Sequence, residues 1–283
     1  MTGRQGGDGQ GVRAPRTRRS AQPGLSRVPP ILIVPAIAGL AFLVVPLVGL
    51  LSRTPWRTLP SRLTEPTVRQ ALRLSLETST EATLVALVLG VPLAVVLAHG
   101  RFPGRSVLRA VVTVPLVLPP VVGGVALLSA LGRTGILGRW LYQRTHYSLP
   151  FTTAAVVVAE AFVAMPFLVI SVEGALRGVD PRYAEAAATL GSHRWHTFRT
   201  VTLPLIIPGV MAGAVLCWAR ALGEFGATIT FAGSFPGTTQ TMPLAVYQAL
   251  ETDPPAAIAL SLVLLMVSVV VLGAMRDRWI NPA

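Results

Sequence analysis

The chain has 283 residues, of which 52% are hydrophobic and only 13% are charged. Ordinary soluble domains carry about 25% charged residues, so this composition excludes an ordinary soluble protein and indicates a membrane protein. The net charge of +12 would also fit a nucleic-acid-binding protein. However, the arginines lie in a tail and in short segments between apolar runs, with no basic helix face. Nucleic acid is therefore not an expected partner.

All 24 basic residues are arginine. A phosphate-binding loop of the G-x-x-x-x-G-K-[ST] type needs a lysine, so the chain cannot bind and hydrolyse ATP through such a loop. Cys217 is the only cysteine and lies in an apolar run, which excludes an intramolecular disulfide and a cysteine-based metal cluster. The histidines have no metal-ligand spacing within a membrane core. We therefore expect no catalytic residue, no metal ion and no cofactor.

Residues 1–30 are rich in Gly, Arg, Gln, Ser and Pro, so they contain too few apolar side chains to offset the entropy of ordering them. They are predicted to form a disordered basic cytoplasmic tail, followed by a membrane domain over residues 31–283. A basic start before an apolar run also fits a secretory signal. The run Ile31–Leu51 is longer than a signal core, and no small-x-small cleavage site follows it. It is thus predicted to be the first transmembrane helix.

Six apolar runs reach the length of about 20 residues that a helix needs to cross a bilayer. Most arginines outside the apolar runs, including those of the N-terminal tail and the pair Arg276 and Arg278, fall on one side. The positive-inside rule makes this side cytoplasmic, although the first loop on the other side is also basic. We predict an all-α polytopic membrane protein with six transmembrane helices and both termini cytoplasmic. The runs are Ile31–Leu51, Leu72–Ala98, Ala110–Leu131, Leu149–Val172, Leu205–Ala227 and Pro255–Met275.

A polar island, residues 180–204, separates the fourth and fifth runs. Asp180 is a suitable N-cap, and Pro181 is suited to the first helical position because it has no N–H to leave unpaired. The pattern predicts a short helix that ends near Gly191, where glycine favours a left-handed turn, and a second helix capped by Ser192. The island is too polar to span a bilayer, so it is predicted to contact a partner outside the membrane.

Three of the charged residues within the apolar runs, in the fourth and fifth runs, require a partner or a function. Arg220 and Glu224 are four residues apart, so both can lie on one helix face and form a pair. The pair either holds helices in register, helps to close a gate, or exposes Arg220 to an anion. Glu160 has no local partner, and we expect it to be protonated, to pair with an arginine of another helix, or to lie away from any anion path.

The polar island closely resembles the E-A-A-x-x-x-G loop, ending in I-x-L-P, of permease subunits of binding-protein-dependent ABC importers, with Val201 in place of the usual Ile. This resemblance implies the type I importer permease fold and a coupling helix that docks in a cleft of a cytoplasmic ATPase. It assigns ATPase coupling to Glu185, Ala186, Ala187, Gly191, Leu203 and Pro204.

Within that family, the segment Ala219–Thr228 and the following Phe231-Ala232-Gly233 resemble molybdate permeases most. Sulfate and thiosulfate permeases share much of this pattern, and tungstate is a further possible substrate. The resemblance implies a translocation path or gate in this segment, where hydroxyl groups can hydrogen-bond a passing anion. The residues assigned to the path or gate are Arg220, Glu224, Thr228 and Thr230.

The resemblance also implies the partners of the chain. These are a second copy of the chain, two cytoplasmic ATP-binding subunits, an extracytoplasmic molybdate-binding protein and the lipid bilayer. The chain itself would be a non-catalytic membrane subunit, because a separate subunit hydrolyses ATP. An ion-coupled secondary transporter and a membrane scaffold without transport are the alternatives from other classes.

Overall fold

The computed structural model describes residue 3 and residues 30–280, although the side chains of residues 30, 272 and 274–280 are outside the description. The tail predicted over residues 1–30 lies almost entirely outside the described residues and stays a prediction. The chain divides between Gly49 and Leu50 into two compact units. In the smaller unit a short 3-10 helix, Pro30–Leu32, leads into α1, which continues to Arg53 and is apolar enough to cross a bilayer.

Over residues 30–280, all regular secondary structure is helical. A π-helical turn, Phe198–Thr202, joins α9 to α10. The helices are α1 Ile33–Arg53, α2 Leu59–Leu63, α3 Pro66–His99, α4 Arg105–Val117, α5 Pro120–Leu131, α6 Ile136–Thr145, α7 Thr153–Gly178, α8 Pro181–Thr189, α9 Arg194–Thr197, α10 Leu203–Leu222, α11 Gly226–Phe231, α12 Met242–Thr252 and α13 Pro254–Ile280.

Five helical segments of the described residues are long and apolar enough to cross a membrane, and a bent pair of helices makes a possible sixth. The pair is α4 and α5, between which the helix axis bends by 119°. The sequence predicts one continuous helix over Ala110–Leu131, and this is wrong in detail because the helix breaks at Leu118 and Pro119. Both residues have extended backbone, since a residue before proline avoids the helical conformation.

The centre of the larger unit is α7, which packs between α3 and α10. Two glycines of α10, Gly209 and Gly213, allow a close approach. A Cβ on Gly213 would lie 2.9 Å from the Cβ of Ser171, and one on Gly209 would overlap Ala175. Small residues four positions apart are typical of closely packed membrane helices. The hydroxyl of Ser171 also donates to the carbonyl of Gly209 at 3.0 Å, which adds a hydrogen bond between the helices.

Ion pairs join elements at positions far apart in the chain. Glu173 of α7 accepts from Arg109 of α4 at 2.5 Å and from Arg177, one turn further along α7, at 2.8 Å. Arg62 of α2 pairs with Asp253, between α12 and α13, at 2.7 Å. These contacts fix short peripheral helices relative to the long ones.

Candidate functional site

The first half of the polar island forms α8, whose start follows from its capping residues. The carboxylate of Asp180 accepts the backbone N–H of Arg182 at 2.9 Å, and Pro181 occupies the first helical position. Both assignments made from the sequence are confirmed. An N-cap of this kind typically contributes about 1 kcal/mol to helix stability.

Gly191 ends α8 in the left-handed conformation that the sequence predicts, with φ of +81°. The N–H of Ser192 bonds the carbonyl of Ala187, and the N–H of Gly191 bonds that of Ala188, both at 3.0 Å. This pair of bonds is the Schellman motif, which satisfies the last carbonyls of a helix. The glycine therefore determines the direction in which the chain leaves α8.

The N-cap predicted at Ser192 is wrong by one residue. His193 is the N-cap of α9, and its Nδ1 accepts the N–H of His196 at 3.2 Å. The hydroxyl of Ser192 instead lies 2.9 Å from that of Thr197. His193 takes this position because its backbone is extended, with φ of −77° and ψ of 158°, as an N-cap residue requires.

The second half of the island is not a separate helix. It continues through the π-helical turn into α10, so that Arg194–Leu222 is one candidate membrane span. Leu203 and Pro204 begin α10. Proline at this position cannot donate to a preceding carbonyl, and wide turns in helices occur where such a bond is missing.

The surface of α8 is open over its whole length. Glu185 and Ala186 are exposed, Ala187 is partly exposed, and no residue of the helix is buried. Large apolar side chains lie beside them, with Leu190 88% exposed. A cavity of about 500 Å³ adjoins the end of the helix and is lined by Ala187, Leu190, Gly191, Ser192, His193, His196 and Thr200.

The second group of predicted site residues lies where α10 ends and α11 begins. Arg220 and Glu224 form the expected ion pair, with Nη1 and Oε2 2.7 Å apart. The run Leu205–Ala227 is not one helix, however, because α10 ends at Leu222. Glu224 lies in the break, and its Oε1 accepts the N–H of Ala227 at 2.7 Å. The carboxylate therefore satisfies a free N–H at the start of α11, where negative charge is favoured.

Thr228 and Thr230 are on α11, next to this pair. Thr228 is fully buried, and its hydroxyl has no hydrogen-bond partner among the described residues. The hydroxyl of Thr230 donates to the carbonyl of Gly226 at 2.8 Å. The structure therefore places all four predicted path residues in one segment, in which Arg220 remains 28% exposed and Glu224 is buried.

Glu160 of α7 is another buried carboxylate that the sequence singles out, with 1% of its surface exposed. Its Oε1 accepts the hydroxyl of Thr78 on α3 at 3.0 Å, and its Oε2 is buried without a partner among the described residues. Among the described residues, no arginine nitrogen lies within 4 Å of its carboxylate, so of the three alternatives the pairing with an arginine of another helix is not found.

Two contacting residues of α3 were not anticipated from the sequence. Thr78 binds Glu160, and Ser75 accepts the N–H of Met242 at 2.7 Å at the start of α12. Their only sequence signal is a hydroxyl side chain within an apolar helix, and such a hydroxyl usually bonds the carbonyl one turn before it. Across the described residues, no group of three or more His, Cys, Asp or Glu side chains could hold a metal ion.

The chain has several candidate membrane spans, a polar exposed helix before the penultimate span, and a charged break after that span. This is the organisation of a transport permease. The profile of the family "Binding-protein-dependent transport system inner membrane component" matches residues 86–282. The chain belongs to this family. It is accordingly a multi-pass protein of the cell membrane.

The chain is also similar to permeases of two named transport systems. It is 50% identical over 241 residues to "Molybdenum transport system permease protein ModB" of Mycobacterium tuberculosis, covering 85% of this chain and 91% of that protein. It is 39% identical over 160 residues to "Sulfate transport system permease protein CysT" of Escherichia coli, covering 56% and 57% of the two chains.

Among solved structures, the chain is similar to a bacterial ABC transporter involved in the import of alginate. The TM-score is 0.71 with 18% identity, and the match covers 89% of this chain and 95% of that one. This likeness concerns the fold alone. It confirms the prediction of an all-α importer permease fold, whereas the orientation of the termini stays a prediction.

Proposed function

We propose that the chain is the membrane-spanning permease subunit of an ATP-driven molybdate importer that works by alternating access. The observation that carries this proposal is the high identity to a molybdenum permease over most of the chain. The segment Ala219–Thr228, whose sequence resembles molybdate permeases, contains the break between α10 and α11 and its charged contacts. Residues 31–283 would form the permease domain, and residues 1–30 a cytoplasmic tail.

We propose α8 as the surface that receives energy from an ATPase subunit. Ala186 and Ala187 are small, so a partner can approach the helix backbone closely, and Glu185 offers an exposed charge. The adjoining cavity provides space for a partner side chain. The turn at Gly191 connects α8 to α9, and Leu203 and Pro204 start α10. Displacement of α8 would in this way be transmitted along α10.

We propose the break between α10 and α11 as a gate, because it lies at the other end of α10 from the island. Arg220 is its only cation and is partly exposed, while Glu224 holds it and the start of α11 together. A guanidinium group suits the oxygens of a tetrahedral oxyanion, since it donates two parallel hydrogen bonds. Thr228 and Thr230 would supply hydroxyl groups to a passing anion once α11 moves. A purely structural role of the ion pair is the competing interpretation.

The partners follow from the family, whose members depend on a binding protein. We propose an assembly of two copies of this chain, two cytoplasmic ATP-binding subunits and an extracytoplasmic molybdate-binding protein. In this assembly the chain is non-catalytic, and the separate subunits hydrolyse ATP. A sulfate, thiosulfate or tungstate importer is the second candidate, supported by the similarity to a sulfate permease. Family membership weighs against an ion-coupled secondary transporter.

Uptake of radiolabelled molybdate by the reconstituted importer tests the proposal. We expect ATP-dependent molybdate uptake that excess unlabelled molybdate abolishes and equimolar sulfate leaves nearly unchanged. Equal competition by sulfate would assign the chain to the second candidate, and tungstate competition measures discrimination between the metals. Uptake that is independent of ATP, or recovery of the chain without an ATPase after mild extraction, would contradict the importer assignment.

A further inference from the structure

The ten-residue helix α6 lies directly after the second half of the bent span. Gly138 brings it against the end of α5, because a Cβ at this position would overlap the carbonyl oxygens of Leu131 and Gly132. The helix therefore folds back at the end of a membrane-spanning segment. Such a position is at the boundary between the hydrocarbon core and the lipid headgroups.

The outer face of α6 exposes large apolar side chains. Ile136 is 86% exposed, Leu137 is 60% exposed and Trp140 is 61% exposed. Ile136 and Trp140 are four residues apart and so lie on one stripe of the helix. Tryptophan is enriched where a protein surface meets the lipid headgroups. This exposed stripe is suited to insertion among lipids rather than to contact with water.

The charges around this stripe are all positive. Residues 132–152 contain Arg133, Arg139 and Arg144 and no acidic residue. Arg133 lies 4.1 Å from the ring centre of Tyr142 and donates to its hydroxyl at 2.6 Å. Arg144 lies 6.0 Å from the ring centre of Trp140. No carboxylate of the described residues neutralises these guanidinium groups.

We propose that α6 is an interfacial helix that binds the phosphate headgroup of an anionic phospholipid. At about 100° per residue, Arg139 and Arg144 flank the stripe of Ile136 and Trp140 on opposite sides. The apolar side chains enter the acyl region, and the arginines bind phosphate oxygens above it. A lipid fits both the apolar stripe and the flanking arginines, whereas a free phosphate ion would bind only the arginines.

The three arginines of this segment are unusual for the side of the membrane on which the predicted topology places them. The segment 132–152 is assigned to the extracytoplasmic side, where the positive-inside rule makes arginine unusual. Binding of lipid phosphate gives these three charges a function at that surface. The inference is independent of the transported anion, so its failure would leave the proposed molybdate import unaffected.

Quenching of Trp140 fluorescence by brominated lipids tests the proposal. The full chain is reconstituted in vesicles that contain brominated phosphatidylglycerol or brominated phosphatidylcholine, and the signal of Trp140→Phe is subtracted. We expect quenching that is stronger with phosphatidylglycerol. The double change Arg139→Gln and Arg144→Gln should lower the association constant for phosphatidylglycerol relative to phosphatidylcholine about 25-fold, since each basic residue contributes about fivefold. Replacement of both arginines by lysine should restore much of the preference.

A matched double change, Arg57→Gln and Arg69→Gln, controls for net charge, because both residues are exposed on the same predicted side. It should leave the quenching of Trp140 unchanged. Equal quenching by both lipids, or an arginine double variant that behaves as the wild type, would overturn the proposal. Absence of Trp140 quenching, or competition by soluble glycerophosphate, would do so too, because the helix would then lie outside the bilayer or bind free phosphate.

Discussion

Glu224 is a single residue that connects two helices. One carboxylate oxygen pairs with Arg220 at the end of α10, and the other accepts the N–H of Ala227 at the start of α11. Only 1% of its surface is exposed. A buried carboxylate is stable when both of its oxygens have partners. Removal of one member of an ion pair leaves the other charge without compensation.

A double-mutant cycle at Arg220 and Glu224 measures this coupling. Removal of one member of a buried pair typically costs about 3–5 kcal/mol, so we expect Arg220→Ala and Glu224→Ala each to destabilise the chain strongly. The double variant should lose less than the sum of both. Denaturant unfolding in detergent gives the three free energies. Additive losses would show that the two side chains act independently, and would weaken the proposal of a shared gate.

At the scale of elements, α5 and α11 cross at a contact made of small residues. A Cβ on Gly124 would lie 2.6 Å from the Cβ of Thr230 and 2.9 Å from the carbonyl oxygen of Ala227. The preceding Gly123 has more space, with the nearest atom, of Phe162, at 3.4 Å. Two neighbouring glycines thus differ in purpose, because only Gly124 is needed for the close approach of the helices.

Alanine substitutions at this pair provide a matched comparison. Gly124→Ala forces α5 and α11 apart and should destabilise the chain by about 1–3 kcal/mol, as overpacked cores do. Gly123→Ala should stabilise it by about 0.5–1 kcal/mol, since alanine favours a helix over glycine. Thermal unfolding of both variants in one detergent measures the difference. Similar melting temperatures for the two would contradict the crossing described here.

The turn after α8 allows a second prediction about an element. Gly191 has positive φ and open space around it, so a larger residue there is opposed by backbone strain of about 1–2 kcal/mol rather than by a clash. We expect Gly191→Val to redirect α8 and to abolish most ATP-driven uptake while membrane insertion persists. Gly191→Asn should retain more uptake, because asparagine adopts the left-handed conformation more readily.

Gly174→Ala is the control for this experiment, because Gly174 is an exposed helical glycine with nothing within 4 Å. It should insert and transport as the wild type does. Insertion is assayed by protease protection, and uptake by radiolabelled molybdate. Undiminished uptake by Gly191→Val would remove the basis for assigning coupling to α8.

At the scale of the whole molecule, one ion pair joins residues 191 positions apart. Arg62 of α2 donates to Asp253, which lies between α12 and α13, at 2.7 Å. Asp253 also accepts the N–H of Ala256 at 3.2 Å. The hydrogen bond from Arg62 and that from Ala256 both hold the pKa of Asp253 below its ordinary value of 3.8.

The lowered pKa predicts a pH dependence of stability. The folded chain favours the carboxylate form of Asp253. The contribution of Asp253 to the free energy of unfolding is therefore complete above pH 3.8 and is lost as the pH falls through the lowered pKa. We expect Asp253→Asn to lower the melting temperature at pH 7, by an amount that shrinks towards pH 3. Glu251→Gln, at an exposed neighbour, is the control. A melting-temperature difference between the wild type and Asp253→Asn that is the same at pH 7 and at pH 3 would contradict the lowered pKa of Asp253.

The sequence alone determined the class of molecule and its local signals. Long apolar runs leave no alternative to membrane helices, because the bilayer offers no hydrogen-bond partner for an unpaired backbone. Asp180, Pro181 and Gly191 were predictable because caps and left-handed turns depend on residues adjacent in the chain. The pair Arg220–Glu224 was predictable for the same reason, since its members are four residues apart.

Contacts between residues distant in the chain follow only from the packing of the bundle. Thr78 bonds Glu160 across 82 positions, and Asp253 pairs with Arg62 across 191, so no local pattern could identify either partner. The break after Leu222, which places Glu224 between α10 and α11, accompanies the close packing of α11 on α5. Capping and helix length depend on neighbouring residues, whereas helix breaks and buried partners depend on which surfaces meet when the bundle packs.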